Sequence, residues 1–265
     1  MIEDKKKGKA FPTFLLLLAI ILIGLGVACQ FGYLDPVLEQ IGLKAKNYDS
    51  TSTKKKNDKN TDTIEENALK KDDKEVVALY NKISNIRSKD YMNIYYQQDS
   101  LEIDKTDNKF KLLLAFNNLS DYNKLTTVND EDMKKTYSDI FGNIEYKGET
   151  FDSNCREFVY NSESGSYTTE ENASTCVLDG CKSKKEEILG GYKDANKIEI
   201  KTVVSFVNTC DKKYYKDYKY SSLAMEGETY KAGIIEKNQD KFDKYIYTFT
   251  LTDGSYVFTK VAKVV

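Results

Sequence analysis

The chain has 265 residues, with 40 Lys and Arg against 42 Asp and Glu, so it carries no net field to draw a polyanion and no nucleic-acid partner is expected. It contains no histidine, which removes the usual general base, the usual zinc ligand and the usual pH switch together. Its length allows one large domain or two small ones, and the uneven spread of apolar residues decides between them.

Residues 1–9, with Lys5, Lys6, Lys7 and Lys9, read as a short cytoplasmic tail. Residues 10–34 read as a transmembrane helix. Phe11 to Ala28 is uncharged for 18 residues, roughly 27 Å of helix and close to the hydrocarbon thickness of a bilayer. No lysine or arginine appears after it until Lys44, so the positive-inside rule leaves the N-terminus in the cytoplasm and sends the rest outside. Cys29 closes this run in GLGVACQ and admits three readings: the end of an uncut anchor, a residue beyond a secretory cut, or a lipid-bearing first residue. Gly26 stands where a lipoprotein signal wants Leu, Val or Ile, and the apolar run exceeds the usual length of a cleaved signal. Both points favour the uncut anchor. All three readings export the remainder of the chain.

Residues 35–74 read as a juxtamembrane segment and a disordered tether. Asp35 and Pro36 look like a helix start, with Val37, Leu38 and Ile41 on one face and Gly42 ending the turn. From Lys44 to Lys74 the chain is polar and dense in both charge signs, with nothing to offset the entropy of ordering, and a reach on the order of 30 Å.

Residues 75–265 carry globular patterning and are expected to form one extracytoplasmic α+β domain, about three helices packed on a curved antiparallel sheet. Val76, Leu79, Tyr80, Ile83 and Ile86 draw one apolar stripe on a first helix. DNKFKLLLAFNNL places Phe110, Leu113, Leu114 and Asn117 on a face of a second. NDEDMKKTYSDIFG has acids in its first turn and Gly142 past its end, as a third helix should. The period then changes to two. REFVYNSESGSYTT reads as a hairpin around Ser162 to Gly165, and KIEIKTVVSFVNTC as a strand with Ile198, Ile200, Val204 and Phe206 on one side. In KYIYTFTLTDGSYVFTKVAK a two-residue Asp253–Gly254 turn puts Tyr245, Tyr247, Phe249 and Leu251 on one core face with Tyr256 and Phe258.

The run KLLLAFNNL, the stretch DIFGNIEYKGETF, the hairpin REFVYNSESGSYT and the closing YTFTLTDGSYVF together resemble a family of uncharacterised single-pass cell-envelope proteins of low-GC Gram-positive bacteria. The resemblance covers most of residues 75–265 and implies a bacterial extracytoplasmic setting; with the charge asymmetry about residues 10–34, the expected location is the cell membrane, single-pass, with the C-terminal domain extracellular. The resemblance implies no activity, substrate or catalytic residue.

Cys155, Cys176, Cys181 and Cys210 are an even set on the exported side, where disulfide bonds are expected. Three connectivities are open. Gaps of 20, 4 and 28 residues, with no C-x-x-C, do not suit a zinc or thioredoxin-like site, so no metal and no cofactor are expected. Pairing neighbours, Cys155 with Cys176 and Cys181 with Cys210, would contribute roughly 3 to 4 kcal/mol per loop in the chain-entropy model.

No nucleophile, nucleotide or dinucleotide motif appears, so no catalytic residue is assigned and the chain is expected not to be an enzyme. The segment DKKYYKDYKY is the candidate binding surface, through Tyr214, Tyr215, Lys216, Tyr218, Lys219 and Tyr220, because aromatic faces stack on sugars while lysines meet anions. The expected partners are the membrane through residues 10–34 and, outside it, a cell-wall polymer, a carbohydrate or another envelope protein. The leading expectation is a non-catalytic binding or assembly module. The alternative is a wall-directed hydrolase with paired carboxylates, drawn from Glu186 with Glu187 or from Glu163 with Glu170 and Glu171.

Overall fold

Residues 67–176 and 180–264 are described by the computed structural model, and the expected tail, anchor and most of the tether lie outside them. Among the described residues no helix is long and apolar enough to cross a membrane. The first element is unexpected. Ala68–Leu69 forms a short strand, β1, in a stretch expected to be tether. It pairs antiparallel with Tyr192 and Gly191, and a side chain at Gly191 would put its Cβ 2.9 Å from the Glu199 carbonyl and 3.5 Å from Leu69. The missing side chain there is what lets the chain dock.

Helix α1, Lys74–Ser84, buries Val76, Leu79, Tyr80 and Ile83 as its stripe requires. Strand β2, Ser100–Glu102, precedes helix α2, Asn108–Asn117, which is buried on every side from Phe110 to Asn117. One apolar face was expected there. The helix lies between two sheets: Phe116 meets Phe151 and Phe158 on one side, while Phe110 meets Tyr95, itself against Phe258, on the other. Lys111 is carried into this layer by its position, and its ammonium donates to the Thr106 carbonyl at 2.7 Å. Strand β3, Thr127–Asn129, leads into helix α3, Asp130–Phe141. Its start is capped by the Asn129 side chain, which accepts from the Asp132 N–H at 2.8 Å, and its end by Gly142 at φ 63°.

Strands β4, Phe151–Ser153, β5, Arg156–Asn161, and β6, Ser166–Glu171, complete a four-stranded sheet in the order β3-β6-β5-β4. The larger sheet is built from β7, Lys182–Lys193, β8, Lys197–Asn208, β9, Lys213–Tyr215, β10, Leu223–Glu226, β11, Asp243–Thr252, and β12, Ser255–Val264. Its main path runs β1-β7-β8-β11-β12-β2, all antiparallel, with β9 and β10 branching from β8. The domain is thus α+β as expected, but with two sheets in place of one and a fourth short helix, α4, Ile234–Lys237.

The Asp253–Gly254 turn has both residues at positive φ, 51° and 82°, as a two-residue hairpin needs. Register holds from Thr252↔Ser255 to Phe249↔Phe258 and then slips, because Thr259 is an extra residue in β12. Phe258 and Val261 therefore both point inward, and the Thr259 hydroxyl meets Thr250 Oγ1 at 3.0 Å. Tyr245, Tyr247 and Phe249 are buried, whereas Leu251 at the hairpin tip is 38% exposed: the tip projects past the last covering residue, so its expected place in the core is not met. Ile198, Ile200, Val204 and Phe206 line the inner face of β8. Its outer face is also buried from Val203 onward, where Val207, Tyr214, Ile234, Ile235 and Phe242 form a second cluster.

Candidate binding cleft at a fork in the sheet

One edge of β8 serves two partners. Lys197 to Val204 pair with β11, and Phe206 to Asn208 pair with β9, so the sheet forks at Ser205. Ser205 bridges the split by donating to the Tyr215 carbonyl at 3.3 Å. The loop leaving β9 cannot track β11, and the gap between them is a cleft of about 380 Å³. One wall is Lys216 to Ser222. Opposite stand Tyr96 to Asp99, with Asp243, Tyr245 and Lys263 from the strand ends.

The loop wall is held by Asp217. Its carboxylate accepts from the N–H groups of Ser222 at 2.7 Å, Lys219 at 3.0 Å and Ser221 at 3.2 Å, and from the Ser221 hydroxyl at 3.1 Å. Burial pushes this carboxyl up, but those donors outweigh it and keep it below the ordinary carboxylate range. Lys216 N–H closes the loop on the Ser222 carbonyl at 2.9 Å.

The far wall rests on a buried carboxylate. Glu186, on β7 opposite Val204, has a side chain only 3% exposed. Its Oε1 accepts from Thr202 at 2.7 Å and Tyr247 at 2.8 Å, and its Oε2 from Tyr96 at 2.7 Å and Lys184 at 3.1 Å. Tyr80 bonds to the same carboxylate. Burial alone would raise the Glu186 pKa, but the Lys184 ammonium and the hydroxyls of Tyr80, Thr202 and Tyr96 together hold it below the usual glutamate value. The tyrosines respond in the opposite sense: burial first, and then the Glu186 charge, pushes Tyr80, Tyr96 and Tyr247 well up, so they stay protonated donors. Tyr96 is the shared member, bonded to Glu186 beneath and lining the cleft above.

Strand alternation sorts the expected binding residues. Tyr214 is fully buried on the outer face, against Phe242, and its hydroxyl donates to the Glu228 carbonyl at 3.1 Å, so it cannot contribute to a binding surface. Tyr215 faces inward opposite Phe206 and meets Tyr220 edge-on. Tyr220 packs on Phe206 and carries the Lys182 ammonium over its ring. Lys216, Tyr218 and Lys219 line the cleft. Residues 96–99, Asp243, Tyr245 and Lys263 were not anticipated.

The four domain cysteines form Cys155–Cys176 and Cys181–Cys210, a pattern that fits an oxidising compartment. The second bond closes the open end of the β7–β8 hairpin, just before the loop leading to β9. Cys29 lies outside the described residues. The acids considered as catalytic pairs are not brought together. Glu187 leaves the opposite face of β7 from Glu186 and accepts from the N–H groups of Gly233 and Glu236 at 2.9 and 2.7 Å. Glu163 sits in the β5–β6 turn, at the other end of β6 from Glu170 and Glu171. Among the described residues no group of three or more ligand-bearing side chains is placed to hold a metal ion.

Comparison of the chain with protein-family models, with known proteins and with solved structures finds no match.

Proposed function

We propose that the protein is a membrane-anchored extracytoplasmic binding module, held to the membrane by residues 10–34 and taking its ligand in the cleft at the sheet fork. The observation that carries this reading is the cleft itself. Four stretches of the chain meet there, residues 96–99, the 216–222 loop, the start of β11 and the end of β12; the first two are fixed by a buried and a saturated carboxylate, and the space between them stays open. Walls fixed before binding cost little ordering entropy on binding, which suits recognition. The two disulfides and the apolar run from Phe11 to Ala28 support export with retention at the membrane. The resemblance to envelope proteins of Gram-positive bacteria points the same way.

The test is capture in cells. A photoreactive residue at position 219, in the full-length membrane-bound chain, should crosslink to a discrete species. The same residue at position 251, about 26 Å along β11 from Asp243, serves as the control. Equal capture at both positions would refute the cleft as the binding site.

A further inference from the structure

The disposition of charge in the cleft narrows the ligand, an inference that rests on the binding reading above. Three lysines, Lys216, Lys219 and Lys263, stand against three aspartates, Asp99, Asp217 and Asp243. Lys263 and Asp243 cancel each other at 2.7 Å. Asp217 has already taken the loop N–H groups, the donors that would otherwise cradle a phosphate, and it sets a negative charge in the same wall. A polyanion would meet little net attraction here. Among the described residues, Asp99, Lys216 and Lys219 have no ion-pair partner. Asp99 and Lys216 are therefore left free, and Lys219 is held only by the Tyr218 ring, 5.7 Å from its ammonium, beside the amides of Gln97 and Gln98, which donate and accept. Hydroxyl groups donate and accept in the same way, and an acetamido group matches a glutamine amide donor for acceptor. Tyr218 completes the set: half-buried and backed by Phe206 at 6.4 Å, it holds a fixed ring whose face the exposed Lys219 ammonium now covers and yields to the C–H face of a sugar as that lysine turns to a hydroxyl.

We propose that the fork cleft binds an uncharged, amide-bearing oligosaccharide, the chemistry of a β-1,4-linked chain of N-acetylated amino sugars. Tyr218 is the stacking platform and Asp99 the principal acceptor. Lys216 and Lys219 donate to ring hydroxyls and carbonyls.

The experiment is calorimetric titration of the full-length protein in detergent micelles with a β-1,4-linked N-acetylglucosamine tetramer, and separately with a glycerol-phosphate polymer. Saturable tetramer binding is expected, with an affinity that changes little between low and high salt, since no charge is neutralised. Tyr218→Ala and Asp99→Ala should each weaken it by roughly tenfold or more, while Leu251→Ala leaves it unchanged. Asp99→Ala removes an exposed side chain and Tyr218→Ala a half-buried one, and an unchanged thermal midpoint in each would show that loss of binding is not loss of fold. No saturable heat with the tetramer overturns the assignment, as does binding of the glycerol-phosphate polymer that falls steeply with salt. If either result comes with preferential crosslinking at position 219 in cells, the glycan assignment fails and the binding reading stands. If position 219 captures no more than position 251, the binding reading itself fails.

Discussion

Glu186 is a charge placed almost out of reach of water and stabilised by five donors, of which Tyr96, Tyr247 and Lys184 are also bonded among themselves. Removing one side of such a cluster leaves the other buried and unpaired, so Glu186→Ala should cost about 3 to 5 kcal/mol in urea unfolding. The pH dependence has a definite sign. A carboxyl whose folded pKa lies below its unfolded value of 4.5 stabilises the fold fully above that value and progressively less as pH falls through the folded one. Glu186→Gln should therefore flatten the loss of stability on acidification below about pH 4.5. An unchanged acid limb in the variant would place the source of acid sensitivity elsewhere.

Among the elements, the β4–β5 turn is the least ordinary. Ser153 pairs with Arg156, so the turn is the two residues Asn154 and Cys155, both left-handed at φ 44° and 68°. The second of these positions is glycine's, and a side chain there costs about 1 kcal/mol. Cys155 occupies it because its bond to Cys176 requires a sulfur. The double variant Cys155→Gly, Cys176→Ser should thus be more stable than Cys155→Ser, Cys176→Ser by about 1 kcal/mol, measured by thermal melts of both without the disulfide. Equal melting would show that the turn is unstrained. The sequence betrays other elements more readily. Helices α1 and α3 are legible because each buries one stripe and leaves the rest wet. The burial of α2 on every side is not, since nothing in KLLLAFNN announces a second covering sheet. The slip at Thr259 leaves only a trace, Phe258 and Val261 three apart where a regular strand would space them by two. In the cleft, Lys216, Tyr218 and Lys219 stand out by composition. Tyr214 looks identical to them and is core, because neighbours in a strand face opposite ways. The opposing wall is invisible, since it comes from residues brought near only by the sheet.

At the scale of the whole molecule, the two disulfides are consecutive and neither encloses the other. Cys155–Cys176 closes a ring entirely before Cys181, and Cys181–Cys210 closes one entirely after Cys176. The link between Cys176 and Cys181 lies outside both rings, so one peptide bond cut there divides the molecule into two pieces with no covalent bond between them. A single nick introduced at that link should give two bands in a denaturing gel without reductant, whereas crossed or nested pairing would give one. The native assembly would nonetheless hold, because the earlier piece supplies β1 and β2 to the same sheet as β7 to β12 from the later piece. The cleft is divided in the same way, with Tyr96 to Asp99 on one piece and Lys216 to Lys263 on the other. In assembly terms the protein is two self-closed halves complementing each other, and its candidate binding site exists only at their seam.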